Sequence, residues 1–277
     1  MVRMQNDGID TRLIIRKWYD RLGFPKTFDK EFSEILAKIE IPASLRVEDY
    51  DKTSEDGKKN LLAYLYFCEE TERRYREREI PEEILLDTLR DIVCWTEIWS
   101  GVKGELWLEE LAWLNRHHAL RIFRLGRLQF EMAESKYNTP AEILPKGTRV
   151  IKIHIPSGGR LDENECVLSI GQAKDFLARY FSEFAYERMI CSSWLLDDTL
   201  RAYLPPTSNI LRFADLFDRV WQEENDSLLQ YIFTRDTTRK NLANKVASGG
   251  FAEKIKEAAL GGQAFYVTLG ILKETIV

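Results

Sequence analysis

Cysteine, histidine and methionine are scarce, with four, three and four among 277 residues. Cys68, Cys94, Cys166 and Cys191 form no CxxC pair, and no histidine stands near them at ligand spacing. The pattern therefore supports neither a zinc site nor a disulfide framework, no metal is expected, and the thiols read as reduced ones in a cytoplasmic protein. There is no apolar run long enough to span a bilayer, so no membrane partner is expected. The opening MVRMQNDGIDTR lacks the apolar stretch of a signal peptide. Charge of one sign does not dominate: 40 basic residues face 45 acidic ones for a net charge of −5, which leaves no electrostatic footprint for nucleic acid. No Gly-x-Ser-x-Gly elbow surrounds Ser192 or Ser193, which argues against a serine nucleophile there.

Apolar and aromatic residues are plentiful, at 44% and 12% with seven tryptophans, so the chain can bury a core and is not disordered. Its length suits one large domain or two ordinary ones.

The first 118 residues read as an all-helical domain. Residues 9–22 carry a helical stripe of Leu13, Ile14, Trp18 and Leu22, stopped by Gly23 and Pro25. Helices are expected over Phe28–Ile39, Asn60–Arg78, Glu82–Trp99 and Leu106–Arg116, with Asp51–Lys59 a polar loop and Pro81 at a helix start. The charged run Glu69–Glu79 suits a solvated face laced with i,i+4 pairs, or a surface that recruits a partner. Trp95, Trp99, Trp107 and Trp113 read as core residues.

Composition changes after His118, and residues 119–277 read as a second, α/β domain. Ala119–Glu134 is expected to be one strand or a short hairpin with Gly126 at a bulge or turn, and Ser135–Gly147 a linker holding Pro140 and Pro145. Arg149–Phe213 organises the rest. Val150–Ile155 alternates as a strand does, and Pro156-Ser157-Gly158-Gly159-Arg160 turns the chain. Asp162, with Glu165 three residues on, opens a helix bearing Leu168, Ala173, Phe176, Leu177, Tyr180 and Phe181. Tyr186–Trp194 is expected to be a second strand, Asp197–Leu204 a short helix and Ser208–Phe213 a third strand. Phe213–Glu224, Ser227–Thr234 and Ala264–Leu272 are expected to add strands, and Arg235–Val246 and Ala252–Leu260 helices. A strand, a small-residue turn and a helix N-terminus together offer N–H groups and a dipole to an anion.

This order resembles the C-terminal half of GNAT-superfamily acyltransferases. The segments HIPSGGRLDENE (154–165), CSSWLLDDTLRAYLPPTSNILRF (191–213) and ASGGFAEKIKEAALGGQAFYVTLGIL (247–272), with LGFPKTFDKEF (22–32), look like a bacterial family that joins a helical N-terminal domain to a GNAT-like C-terminal domain. The resemblance implies an α+β or α/β fold in which a helical domain precedes a mixed sheet flanked by helices. It implies that two neighbouring parallel strands splay apart and that the pantetheine arm of acetyl-CoA or another acyl-CoA pairs with the free edge around Ile153 and Ile155. The pyrophosphate would lie at Ser157, Gly158, Gly159 and Arg160. An amine on a small molecule or a protein would attack the thioester directly.

Under that reading His154, at a strand end and of a residue type that titrates near neutrality, is a candidate base, and so is Glu131. Tyr203 is a candidate acid for the leaving thiolate or else a packing tyrosine. Ser192, Ser193 and Trp194 would line the splay, and Asn209 would cap a turn or contact substrate. The family's usual phosphate loop, Gln/Arg-x-x-Gly-x-Gly/Ala, is replaced here by Ser157-Gly158-Gly159-Arg160. That replacement keeps a second reading open: a non-catalytic binding or regulatory protein on a GNAT-like fold.

Overall fold

The computed structural model describes residues 10–136 and 143–276; the N-terminal segment before Asp10 and Pro140 of the linker lie outside them. The chain divides into two compact units, Met1–Leu125 and Gly126–Val277.

The first unit is helical. Helix α1 (Thr11–Leu22) starts at Asp10, whose carboxylate accepts from the Arg12 N–H, and ends at Gly23 in the left-handed region. It buries Ile15, Trp18, Tyr19 and Leu22, whereas Leu13, expected on the apolar stripe, is 68% exposed. Helices α2 (Asp29–Lys38) and α3 (Gly57–Glu77) follow. The first half of α3 is buried nearly all round through Leu61, Leu62, Tyr64 and Leu65. A fully buried side chain of that size contributes about 1.5–3 kcal/mol, so α3 is the unit's axis. Its second half carries the expected charge pairs, Glu70–Arg74 at 3.0 Å, Glu72–Arg76 at 3.1 Å and Arg73–Glu77.

The helix expected over Glu82–Trp99 is two, α4 (Glu82–Leu89) and α5 (Asp91–Lys103), interrupted at Arg90, where ψ relaxes to −13° without a proline or glycine to mark it. Helix α6 (Leu111–His118) begins five residues later than its apolar pattern. Trp95, Trp99, Trp107 and Trp113 are half-buried; Trp18 is the tryptophan that is fully buried in this unit. Strand β1 (Ile122–Leu125) closes the unit.

The second unit holds a sheet of β2 (Leu128–Glu134), β3 (Arg149–His154), β4 (Arg188–Ser193), β5 (Phe217–Glu224) and β6 (Tyr266–Leu272), in the order β2-β3-β4-β6-β5. Gly126 and Arg127, where a bulge or turn is expected, fall between β1 and β2, and Gly126 has a φ of +67°. Only β3 and β4 run parallel; the other pairs are antiparallel. Between them comes α7 (Glu163–Tyr180), capped as expected by Asp162, whose carboxylate accepts from the N–H groups of Asn164 and Glu165. It lies against β2, where Ser169 Oγ accepts from the Leu128 N–H at 3.1 Å. Leu168, assigned to its apolar face, points outward and is 67% exposed.

Three expected elements differ. Ser208–Phe213 is not a strand. Ser208 Oγ accepts from the Ile210 N–H and starts α8 (Asn209–Ala214), which buries Leu211, Phe213 and Ala214. Ser227–Thr234 is α9 (Ser227–Ile232), opened by Asn225 Oδ1 accepting from the Ser227 N–H at 2.7 Å. Short apolar runs fit either period, and the caps decide them. Arg235–Val246 holds only a 3-10 turn at Leu242–Asn244, fixed by Lys245–Asp236 at 2.7 Å and Arg239–Asp226 at 2.9 Å. The expected helix near the C-terminus is α10 (Gly250–Leu260).

Gly270 on β6 shows why one strand position is glycine. A Cβ there would stand 2.7 Å from Phe217 Cβ and 2.9 Å from Leu196 Cδ1.

Candidate functional site

Strands β2 and β3 pair Gln129 with His154 and Glu131 with Lys152. Residues directly opposite, and those two along, share a face. His154, Glu131, Gln129 and Lys152 therefore stand on one face of the sheet. His154 Nε2 lies 2.9 Å from Glu131 Oε2, a hydrogen bond that fixes the ring. The Glu131 side chain is 4% exposed and that of His154 27%, so a buried carboxylate backs an imidazole that solvent reaches. The sequence puts each residue near a strand end; His154 does end β3, whereas Glu131 is the middle residue of β2. Their meeting depends on the register.

The parallel strands β3 and β4 pair only over Val150–Arg188, Ile151–Met189 and Lys152–Ile190. Beyond that point β3 stays with β2 as far as His154, and β4 stays with β6 as far as Ser193 opposite Thr268. The two strands thus part after Lys152 and Ile190, which frees the β3 edge at Ile153 and the β4 edge at Cys191 and Ser192. Ile155 lies one residue past the end of β3. Ser192, two residues beyond Ile190, shares the face of His154 and is exposed.

Ser193 points to the other face, where its Oγ accepts from the Leu195 N–H at 3.1 Å, a capping role. Trp194 starts a 3-10 turn, and its ring centroid lies 6.0 Å from that of Tyr231. Asn209 is the first residue of α8, and the cap is its neighbour Ser208. The helix expected to hold Tyr203 is a 3-10 stretch ending at Ala202. The Tyr203 ring packs edge-on to Phe265, 6.3 Å between centroids, in an apolar cluster with Leu200, Leu211 and Leu229. Cys191 is buried and its thiol is pushed far up by desolvation; Cys166 rises to about 11 for the same reason. Neither behaves as a nucleophile.

After His154 the chain enters the glycine turn. Gly158 and Gly159 have φ of +83° and +74°, a region that side chains avoid. Arg127, which the sequence reading passed over, holds this turn: its Nε donates to the Arg160 carbonyl at 2.8 Å and its Nη1 to that of Pro156 at 3.1 Å. Ser157, Gly158, Gly159 and Arg160 are exposed. The Asp162 carboxylate occupies the Asn164 N–H at 2.9 Å and the Glu165 N–H at 3.3 Å, amides an anion at this helix would otherwise use. Gln129 was also passed over; it is buried directly across from His154.

The parting of two parallel strands beside a helix N-terminus is the feature that the resemblance implies. Residues 122–272 match the family described as the GNAT-like C-terminal domain, and residues 26–120 match the N-acyltransferase N-terminal domain. The chain belongs to this GNAT-like family. Solved structures similar to it carry the same fold. An acyltransferase in complex with decanoyl-CoA and teicoplanin is 22% identical, with a TM-score of 0.78 over 94% of this chain and 87% of that one. An acyltransferase in complex with decanoyl-CoA is 23% identical, with a TM-score of 0.77 over 93% and 86%. A mutant acyltransferase in complex with octanoyl-CoA is 21% identical, with a TM-score of 0.75 over 94% and 87%. A comparison with curated proteins finds no match. Among the described residues no group of three or more His, Cys, Asp or Glu could hold a metal ion, and no helix is long and apolar enough to cross a membrane.

Proposed function

We propose that the protein is an N-acyltransferase that moves an acyl group from an acyl-CoA to an amine by direct attack. The observation that carries this reading is the parting of β3 and β4 after Lys152 and Ile190, with the His154–Glu131 pair on its β3 side. The pantetheine arm pairs with the free edge at Ile153 and continues past Ile155. The pyrophosphate lies by Ser157, Gly158, Gly159 and Arg160. The thioester sits in the gap, lined by Ser192 on the His154 face and closed at its far end by Ser193 and Trp194.

The amine nitrogen forms its bond to the thioester carbon while His154 takes its proton, with the ring held by Glu131. The carbon–sulfur bond then breaks, and coenzyme A leaves as a thiolate that solvent protonates. Holding both reactants in line supplies much of the rate. Tyr203 and Asn209 stand in packing and helix-start positions, and the mechanism assigns them no step.

The donor is acetyl-CoA or another acyl-CoA. The octanoyl-CoA and decanoyl-CoA of the solved relatives support a longer one. Teicoplanin in one relative supports a small-molecule amine over a protein amine. The acyl-CoA donor and the free thiols support a cytoplasmic setting.

The capped amides of α7 favour a second reading, a binding protein on this fold that has lost its cofactor. Thermal unfolding with excess coenzyme A and acyl-CoAs of increasing length separates the two. A ligand at a hundred times its Kd adds about 2.7 kcal/mol to stability, which moves the midpoint visibly. A shift that Gly158→Glu abolishes supports the enzyme. No shift with any acyl-CoA overturns it in favour of the binding protein.

A further inference from the structure

Arg127, the residue just before β2, spends its guanidinium on the backbone of one turn. Its Nε donates to the Arg160 carbonyl at 2.8 Å and its Nη1 to the Pro156 carbonyl at 3.1 Å, and its Nη2 stands 3.5 Å from the Gly159 carbonyl. A planar trans peptide points its N–H opposite to its C=O. Carbonyls drawn toward Arg127 therefore turn the N–H groups of Ser157, Arg160 and Leu161 away from it. Among the described residues none of these three N–H groups donates to a protein acceptor. Ser157 and Arg160 are exposed, and a Cβ on Gly158 would meet nothing within 4 Å, so the outer side of the turn is open.

An anion beside α7 needs such amides. The Asp162 carboxylate already holds the N–H groups of Asn164 and Glu165, and the Gln/Arg-x-x-Gly-x-Gly/Ala loop is missing. The amides of the turn can replace them only if they are fixed. Gly158 and Gly159 are the residues with most conformational freedom to lose, and left alone they would pay that cost on binding. The planar fork of Arg127 pays it beforehand, because one rigid group fixes several carbonyls at once.

We infer, building on the acyl-CoA reading above, that Arg127 is a positioning residue for the donor. It holds the 156–160 turn so that the N–H groups of Ser157 and Arg160 take the pyrophosphate of the acyl-CoA. Arg127 itself touches backbone carbonyls, not phosphate.

The test titrates the ¹⁵N-labelled full chain with inorganic pyrophosphate, coenzyme A and pantetheine, which lacks the phosphates. Pyrophosphate and coenzyme A are expected to move the Ser157 and Arg160 amide resonances. Arg127→Lys keeps the charge, but a single ammonium cannot span the same carbonyls. Affinity for pyrophosphate and coenzyme A should fall about tenfold or more in Arg127→Lys and Arg127→Gln alike, with pantetheine unchanged. Wild-type affinity in Arg127→Lys would mean that charge alone matters, and an equal loss for pantetheine would mean that Arg127 merely supports β3. Either result overturns the positioning role. Amides unmoved by both phosphate probes overturn it even in a variant-free experiment, and the enzyme reading survives that result if coenzyme A still raises the unfolding midpoint. Amides that move in a protein that transfers no acyl group support the site and count against the enzyme reading alone.

Discussion

His154 and Glu131 are the residues on which the chemistry turns. His154→Gln keeps a hydrogen-bonding group of similar reach but cannot take up a proton at neutral pH. Acyl transfer is therefore expected to fall about 10²- to 10⁴-fold, while the stabilisation by coenzyme A stays as in the wild type. Steady-state rates beside thermal shifts check this, and an undiminished rate removes His154 from the mechanism. Glu131→Gln should also slow transfer, since an amide backs the imidazolium that forms less well than a carboxylate does. Both residues were legible as types in suitable places. Their 2.9 Å contact was not, because it requires β2 and β3 to pair across a connection whose length fixes no register. Tyr203 shows the converse. Its position after β4 suggested an acid, and the packing against Phe265 that decides its place comes from the far end of the chain.

The elements that the sequence made plain were those with long periods or chemical caps. The Asp162 cap of α7, the Gly23 stop of α1 and the charge pairs of α3 all follow from neighbours within four residues. Helices α8 and α9 were hidden because six-residue runs of mixed apolar and polar side chains satisfy a strand as well as a helix, and only the Ser208 cap and the Asn225 side chain just before α9 separate the cases. The Asp162 cap has a measurable consequence with two signs. Asp162→Ala should cost about 0.5–2 kcal/mol of stability through the lost cap. The same change frees the Asn164 and Glu165 amides and removes a carboxylate, so coenzyme A should bind more tightly to the less stable protein. Unfolding midpoints with and without coenzyme A read both. A parallel loss of affinity would take the pyrophosphate away from this helix. On β6, Gly270→Ala drives a methyl into Phe217 and Leu196, and overpacking of this kind costs about 1–3 kcal/mol. Denaturant unfolding should show the loss, and an unchanged midpoint would mean that the β5–β6 ladder yields to the added methyl.

At the scale of the whole molecule the near balance of charge leaves acid stability to particular buried groups. His118 is the clearest. Its usual value of 6.5 falls to about 3 because desolvation disfavours the imidazolium, with His117 and Arg74 adding repulsion. Between those values the unfolded chain binds a proton that the native one refuses, so stability rises with pH across the window. It is complete above 6.5 and is lost as the pH falls toward 3. One proton is worth about 1.4 kcal/mol per pH unit within the window. Glu48, Glu70 and Glu72, whose carboxyls sit below their ordinary 4.5 beside Arg74, Arg73 and Arg21, add losses of the same sign only under that value. The interval from 6.5 to about 5 therefore lies above these carboxylates, and a His118 variant separates this ring's share from that of the other two histidines. Urea unfolding at steps of pH should show a fall of that slope in the wild type. His118→Asn can keep a hydrogen bond to Thr71, which lies 2.7 Å from the ring, but has no proton to gain, and it should flatten the fall. An equal slope in both proteins would mean that His118 admits its proton without unfolding.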